Sequence, residues 1–316
     1  MTSADYIALA IELAKRICND AEVDCRLFCV EVGARKPPSA ELSREPFYRL
    51  PVRRILAFEA DELEAQRLQT QFSSDTDIEV VPSAIGAQIG IADLYLTRNP
   101  KCSSLYEPNK ELISRYPCLD VALPERIVQV RTTTLDAITE ARNWSRVDFV
   151  KMDVQGAELD IIQGGQRGFS GVLAVVAEIS FSPVYLGQPL FGDISAALTS
   201  AGLEFHRFVH LGGMARTTTR SDQAQILWGD GLWLRAPETV DIEQTARLAV
   251  LATLYGQLDV AEVAMRRVGG PVCDWFVNSI TPMPPSALTT FSQRAWRKVG
   301  RVMRSVISQI AGGKSD

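Results

Sequence analysis

Apolar positions along the chain fall into two alternating periods. Short, β-rich apolar runs occur at Arg26 to Val32 (RLFCVEV), Arg54 to Ala60 (RILAFEA), Ile78 to Ile85 (IEVVPSAI), Val147 to Val154 (VDFVKMDV) and Val172 to Ile179 (VLAVVAEI). They lack the polar alternation of a one-sided strand, so they predict strands of a parallel sheet covered on both faces. Helical spacing separates them. Tyr6 to Cys18 repeats Ile7, Ala10, Ile11 and Ala14; Asp61 to Phe72 puts Leu63 and Leu68 inward; Ala157 to Gln163 carries Leu159, Ile161 and Ile162 before Gly164-Gly165 stops it. Thr132 to Ala141 and Phe191 to Ala201 are further helices. This order predicts a doubly wound α/β sheet. Leu203 to Val209 and Gln225 to Arg235, joined by a long loop from His210 to Ala224, predict an antiparallel pair at its edge.

Two stretches depart from that rhythm. From Gly86 the pattern shortens to strands at Gly90 to Thr97 and Ile127 to Thr132 around the polar loop Lys101 to Asn109, KCSSLYEPN. Residues 86–132 therefore read as an insertion that serves as lid or substrate wall, with Ser104 its candidate contact. Beyond Ala236, Ile242 to Val268 predicts a helical pair, Pro282 to Pro285 a linker, and Phe291 to Ile310 a two-faced helix. On that last helix Trp296, Val299, Val302, Met303 and Val306 share one side, and Arg294, Arg297, Lys298, Arg301 and Arg304 the other. Such a helix suits peripheral contact with an anionic membrane, and equally docking on its own domain or on a second copy in a homodimer. The expected organisation is an N-terminal helix over 1–25, a catalytic domain over 26–236 and a helical extension over 237–316.

With 316 residues and 46% apolar content the chain can bury a sizeable core. A net charge of -5 and a pI near 5.3 argue against a nucleic-acid partner. Met1 to Ala10 does not read as a signal peptide, and no run approaches the ~18 apolar residues of a membrane span. A cytoplasmic protein is expected, peripheral at the inner membrane face if the tail binds lipid. Six cysteines include no C-x-x-C pair and there are only two histidines, so neither zinc nor a disulfide framework is expected.

Chemistry concentrates at strand exits, where open α/β sheets bind ligands. In VKMDVQGAE the exit holds Asp153 and Glu158, although an Asp and a Glu capping an ordinary helix would look the same. Glu31-Val32-Gly33-Ala34 ends the first strand, with a glycine that lets backbone approach a ligand. Glu59 ends the second, the position from which an acid binds ribose hydroxyls. Ser83 and Ala84 end the third. Glu178 ends the strand beside that of Asp153, ~4.8 Å away. Tyr185 and Gln188 follow in a loop and suit a polar ligand, as would a tightly packed loop. His206 is a further candidate base, or a packed strand residue.

The ordered blocks VEVGAR, LAFEADELEAQRL, SAIG, SSLYEPN, VRTTTLD, VKMDVQGAELDIIQGG, EISFSPVYLGQPLF and QILWGDGLWLR, from Cys29 to Arg235, resemble the FkbM-type S-adenosylmethionine-dependent methyltransferases. The resemblance implies a Rossmann-like seven-stranded sheet with its last strand antiparallel. It further implies that Glu31, Gly33 and Ala34 border the methionine part of S-adenosylmethionine, Glu59 its ribose, Ser83 and Ala84 its adenine, and that Asp153 lies beneath the sulfonium methyl. Arg35-Lys36-Pro37 stand where a second glycine is common.

The expected activity is O-methylation of a hydroxyl on a glycan, glycolipid or related metabolite. Asp153 is the first choice of base, with Glu178, Glu158 and His206 as other candidates. Glu178 would hydrogen-bond the substrate or join Asp153 around Mg²⁺. Two alternatives stand beside it. One is a catalytically silent scaffold on the same fold. The other, a nicotinamide-dependent oxidoreductase, is disfavoured because GARKPP lacks the G-x-G-x-x-G spacing.

Overall fold

The computed structural model describes residues 1–20, 23–35, 45–217 and 224–280. Helix α1 (Ser3–Asp20) leads into β1 (Leu27–Val32), β2 (Arg53–Phe58), α2 (Glu62–Gln71), β3 (Ile78–Val81), β4 (Ala84–Ile85) and β5 (Gly90–Thr97). Then come α3 (Lys110–Ile113), β6 (Pro124–Thr133), α4 (Leu135–Ala141), β7 (Phe149–Met152), α5 (Glu158–Gln163), α6 (Gln166–Phe169) and β8 (Ala174–Ser180). The remainder is α7 (Phe191–Ser200), β9 (Leu203–Met214), β10 (Gln225–Arg235), α8 (Ile242–Leu254), α9 (Leu258–Val268) and α10 (Gly270–Ile280). The chain forms two compact units, 1–273 and 274–316, and of the second only the last turns of α10 are described. The expected linker at Pro282 to Pro285 and the amphipathic stretch Phe291 to Ile310 lie outside the described residues.

Seven strands form the main sheet in the order β3-β2-β1-β7-β8-β10-β9. The first five run parallel, and β10 is antiparallel to both of its neighbours. That is the Rossmann-like sheet with an antiparallel last strand expected above. Because alternate residues of a buried strand face opposite sides, β7 sends Val150 and Met152 to one face and Phe149 and Lys151 to the other. Val150 and Met152 pack with Leu135, Ile161, Phe169, Ile194 and Leu198 from α4 to α7. Phe149 meets the rings of Phe47 and Tyr255.

At the entry of β7, Asp148 is 1% and Arg247 4% exposed at their side chains, and they pair at 2.9 Å. The second Asp148 oxygen accepts the amide of Phe28 at 2.9 Å, so one carboxylate ties α8 to β1 and β7. Burial raises the pKa of Asp148 even though Arg247 and the amide oppose it.

Three expectations need correction. Ile78 to Ile85 is not one strand. Pro82, which has no amide to donate to a ladder, ends β3, and the chain passes into a second sheet of order β4-β6-β5. There β4 pairs in parallel with β6, Ala84 beside Thr132, so the insertion leaves and returns through one ladder. The loop expected from His210 begins later, since β9 continues to Met214 alongside β10. Leu63 is 70% exposed on α2, whose buried side is made by Ala65 and Leu68. Apart from these, Cys18 and Cys25 face each other as a disulfide with Cα atoms 5.7 Å apart.

Candidate active site

A cavity of about 510 Å³ opens at the carboxyl ends of β1, β2, β7 and β8. Gly33, Glu59, Ser83, Ala84, Ser104, Asp153, Glu178 and Tyr185 all line it, so residues read from six separate segments meet in one space. Gly33 has a φ of +84°, where a side chain is strained, and a β-carbon there would lie 2.0 Å from the carbonyl oxygen of Asp153. The glycine therefore serves a close approach between two strand exits. The amides of Gly33 and Ala34 are both donated to the carbonyl of Phe58, at 3.1 and 2.9 Å.

At the β2 exit, Glu59 is 6% exposed and accepts the amide of Asp61 at 2.9 Å. Burial raises its pKa against the pull of Arg35, whose guanidinium is 3.6 Å away and bonds Asp61 at 2.9 Å. Asp61 in turn caps α2. Arg35, at the position where a second glycine is common, thus fastens the β1 exit to the start of α2. The Ser83 hydroxyl donates towards the carbonyls of Ala84 and Arg131, both at 3.1 Å, which pins the exit of β3 to the small sheet.

At the β7 and β8 exits the charge is dense. Lys151 is 7% exposed, with its Nζ 3.5 Å from Asp153 and 3.6 Å from Glu45. Burial works against its charge, but Asp153, Glu45, Glu31 and Asp230 outweigh it and raise its pKa. Burial likewise opposes ionisation of Asp153, yet Lys151 and the Gln155 amide hold its carboxyl below the ordinary range. Glu178 goes the other way. Burial, reinforced by the negative charge of Asp153, pushes it well above that range. Of the two carboxyls, Glu178 is therefore the one that holds a proton more tightly and Asp153 the one that ionises first.

Gln155 organises this pair. Its side-chain amide donates to Asp153 at 3.0 Å and to Glu178, and its Oε1 lies 3.1 Å from the Tyr185 hydroxyl. Ser104 donates to its backbone carbonyl at 2.7 Å. Gln155 is held at a φ of +59°, a left-handed conformation costly for a residue with a side chain. Sequence reasoning missed both Gln155 and Lys151. A lysine inside an apolar parallel strand and a polar residue before Gly156 were the available signals.

The other candidates stand apart from the cavity wall. Glu158 is 4% exposed, and its two oxygens accept the amides of Val154 and Gly156, each at 3.0 Å, which closes the turn. Burial pushes its pKa up to about 7 despite those amides. Glu31 lies fully buried behind the wall, accepting the Tyr48 hydroxyl at 2.6 Å. Gln188 bonds the Tyr185 amide at 2.8 Å and Ser180 at 2.9 Å, so its side chain stitches its own loop. His206 sits on β9, in the electrostatic reach of Asp259 and Glu204, and not in the cavity.

The site has hydrogen-bond acceptors for an adenosyl ligand: a buried acid at the β2 tip for ribose hydroxyls and a second acidic pair within the same cavity. It does not fit Mg²⁺. Among the described residues no three of His, Cys, Asp or Glu are grouped for a metal ion, and the Lys151 ammonium already stands beside Asp153. No helix among the described residues is long and apolar enough to cross a membrane.

Comparison with known proteins gives one family match and a set of distant structural likenesses. An FkbM methyltransferase from Methylobacillus flagellatus KT is 14% identical over 73% of this chain and 59% of its own, with a TM-score of 0.38, so this chain spans less than two thirds of that protein's length. Magnesium protoporphyrin IX methyltransferase from Synechocystis PCC 6803, with bound S-adenosylmethionine, is 11% identical over 73% of this chain and 80% of that one, TM-score 0.34. Aeropyrum pernix fibrillarin, also with S-adenosylmethionine, is 13% identical over 71% and 74%, TM-score 0.32. No curated protein matches the chain. The methyltransferase FkbM domain matches residues 31–205, from the end of β1 to the start of β9, which is more than half of the sequence, and the chain belongs to that family.

Proposed function

We propose that this protein is an S-adenosylmethionine-dependent O-methyltransferase acting on a hydroxyl of a glycan, glycolipid or related metabolite. The observation that carries the reading is the convergence of Glu59 and the Asp153–Glu178 pair on one cavity. When bound, S-adenosylmethionine supplies a methyl group by in-line displacement: the acceptor oxygen gains the carbon, and the sulfur keeps the electron pair of the broken bond. Glu59 accepts the ribose hydroxyls. Asp153, kept ionised by Lys151, accepts the hydrogen bond of the acceptor hydroxyl and takes its proton as the carbon–oxygen bond forms. Gln155 holds Asp153 and Glu178 in register for that transfer. Alignment of acceptor and methyl supplies the larger share of the rate.

Thermal shift with S-adenosylhomocysteine and with NAD tests the donor half, because a ligand that binds only the folded state raises the midpoint. Stabilisation by NAD alone would point to the oxidoreductase. Mass spectrometry of envelope glycans and lipids from cells with and without the protein tests the acceptor half. Binding of the homocysteine compound without loss of any methyl group would favour the scaffold reading.

A further inference from the structure

The acceptor side of the cavity is built differently from the donor side. On the face of β10 that carries Asp230, Trp228 stands two residues away and opposite Ser180, just as Asp230 stands opposite Glu178 on β8. Its indole lies across Gly212 of β9, where a β-carbon would come within 2.2 Å of the ring. Only a residue without a side chain lets the ring lie there, and the ring lines the cavity. Met214, Leu119, Ala122 and Val184 line it too, and they belong with Trp228 to one apolar cluster that includes Tyr185. Tyr185 reaches Gln155 and so connects this wall to the Asp153–Glu178 pair.

Resting on the methyltransferase reading above, we infer that this wall is an acceptor subsite for the apolar portion of a hydroxyl-bearing molecule, with Trp228 on Gly212 as its platform. A free, fully hydrated sugar leaves such a wall wet. A glycoside or other hydroxylated compound with an alkyl or aromatic flank covers it and gains the transfer of that flank from water. The class assigned to the acceptor is therefore an amphipathic one, its hydroxyl towards Asp153 and Glu178 and its apolar part against Trp228.

The test compares two probes with the same sugar. Full-length protein loaded with S-adenosylhomocysteine is titrated with octyl β-D-glucoside below its micelle concentration and with glucose, reading calorimetry and tryptophan fluorescence. At least tenfold tighter binding of the octyl glycoside is expected. Met214→Asp and Gly212→Ala, which charge the wall and displace the indole, should each weaken it about tenfold while homocysteine-compound affinity stays within twofold. Equal binding of the two probes, binding of neither, or octyl-glycoside affinity unmoved by both substitutions would overturn the subsite. Failure of S-adenosylhomocysteine to bind, with the octyl preference intact, would instead overturn the donor reading and leave the subsite standing.

Discussion

The carbonyl oxygen of Asp153 occupies the space that a β-carbon on Gly33 would need, 2.0 Å from its ideal position. Two strand exits are thereby locked at contact distance, and the acid proposed as base inherits its position from a glycine on another strand. Gly33→Ala must move one of the two backbones and also strain a φ of +84°. A loss of roughly 2–4 kcal/mol is expected in urea unfolding, with S-adenosylhomocysteine binding lost at concentrations that saturate the wild type. Wild-type stability in the variant would mean that the strand exits are farther apart than described.

Gln155 offers a cleaner separation of backbone from side chain. Gln155→Gly and Gln155→Ala remove the same hydrogen bonds to Asp153 and Glu178, but only glycine is at ease at a φ of +59°. The alanine variant should be less stable than the glycine variant by about 1–2 kcal/mol. Equal stabilities would show that the left-handed turn is not maintained without the glutamine.

Glu158 gives a pH dependence of known sign. Its carboxyl has an ordinary value of 4.5 and is pushed up to about 7 in the folded protein by burial. The folded state thus holds a proton that the unfolded state has released between those values, so this contribution is full below pH 4.5 and fades as pH rises through 7. The loss is at most ~3 kcal/mol. Chemical denaturation at pH 5.5 and 8 should show wild-type stability falling relative to Glu158→Gln over that interval. Parallel behaviour of the two proteins would refute the assignment.

Arg247 and Asp148 lie at the opposite ends of the strands from the cavity. Arg247→Met removes the nearer of two cations beside a buried carboxylate, leaving Arg146 at 3.3 Å, and should cost up to about 3 kcal/mol. Adding Asp148→Asn should recover part of that loss, because the under-compensated charge is removed while an oxygen remains for the Phe28 amide. Affinity for S-adenosylhomocysteine should be unchanged in whatever fraction stays folded. A double variant no more stable than the single one would contradict the charge argument.

The membrane contact expected from the sequence of residues 291–310 is tested on the full chain. Replacing Arg294, Arg297, Lys298, Arg301 and Arg304 by Glu should abolish co-sedimentation with vesicles rich in phosphatidylglycerol. Unchanged sedimentation, or none in the wild type, would remove the membrane reading and leave docking on protein.

The parallel strands and the acids at their tips were legible because strand exits follow from local apolar runs, and an acid just past such a run marks its exit, although Glu31, which precedes the last residue of β1, is buried. Glu59, Asp153 and Glu178 come from that rule alone. What could not be read was which polar atoms satisfy one another. Glu158 and Gln188 look like free functional groups in the sequence, yet their hydrogen bonds are spent on backbone and on Ser180. The pairing of Trp228 with Gly212 depends on cross-strand register between segments whose partners the local pattern does not specify. The break at Pro82 was visible in IEVVPSAI and was outweighed by the apolar residues on either side of it.

That break has a consequence for how the family could diversify. Since Ala84 and Thr132 are ladder neighbours, the excursion between them begins and ends at a single hinge-width gap on the rim of the main sheet. Excursions of other lengths could be grafted across that gap without re-registering a strand of the main sheet. The part of the acceptor wall that the excursion supplies, Leu119 and Ala122, could then be exchanged as a cassette while Trp228, Gly212 and the strand exits stay constant.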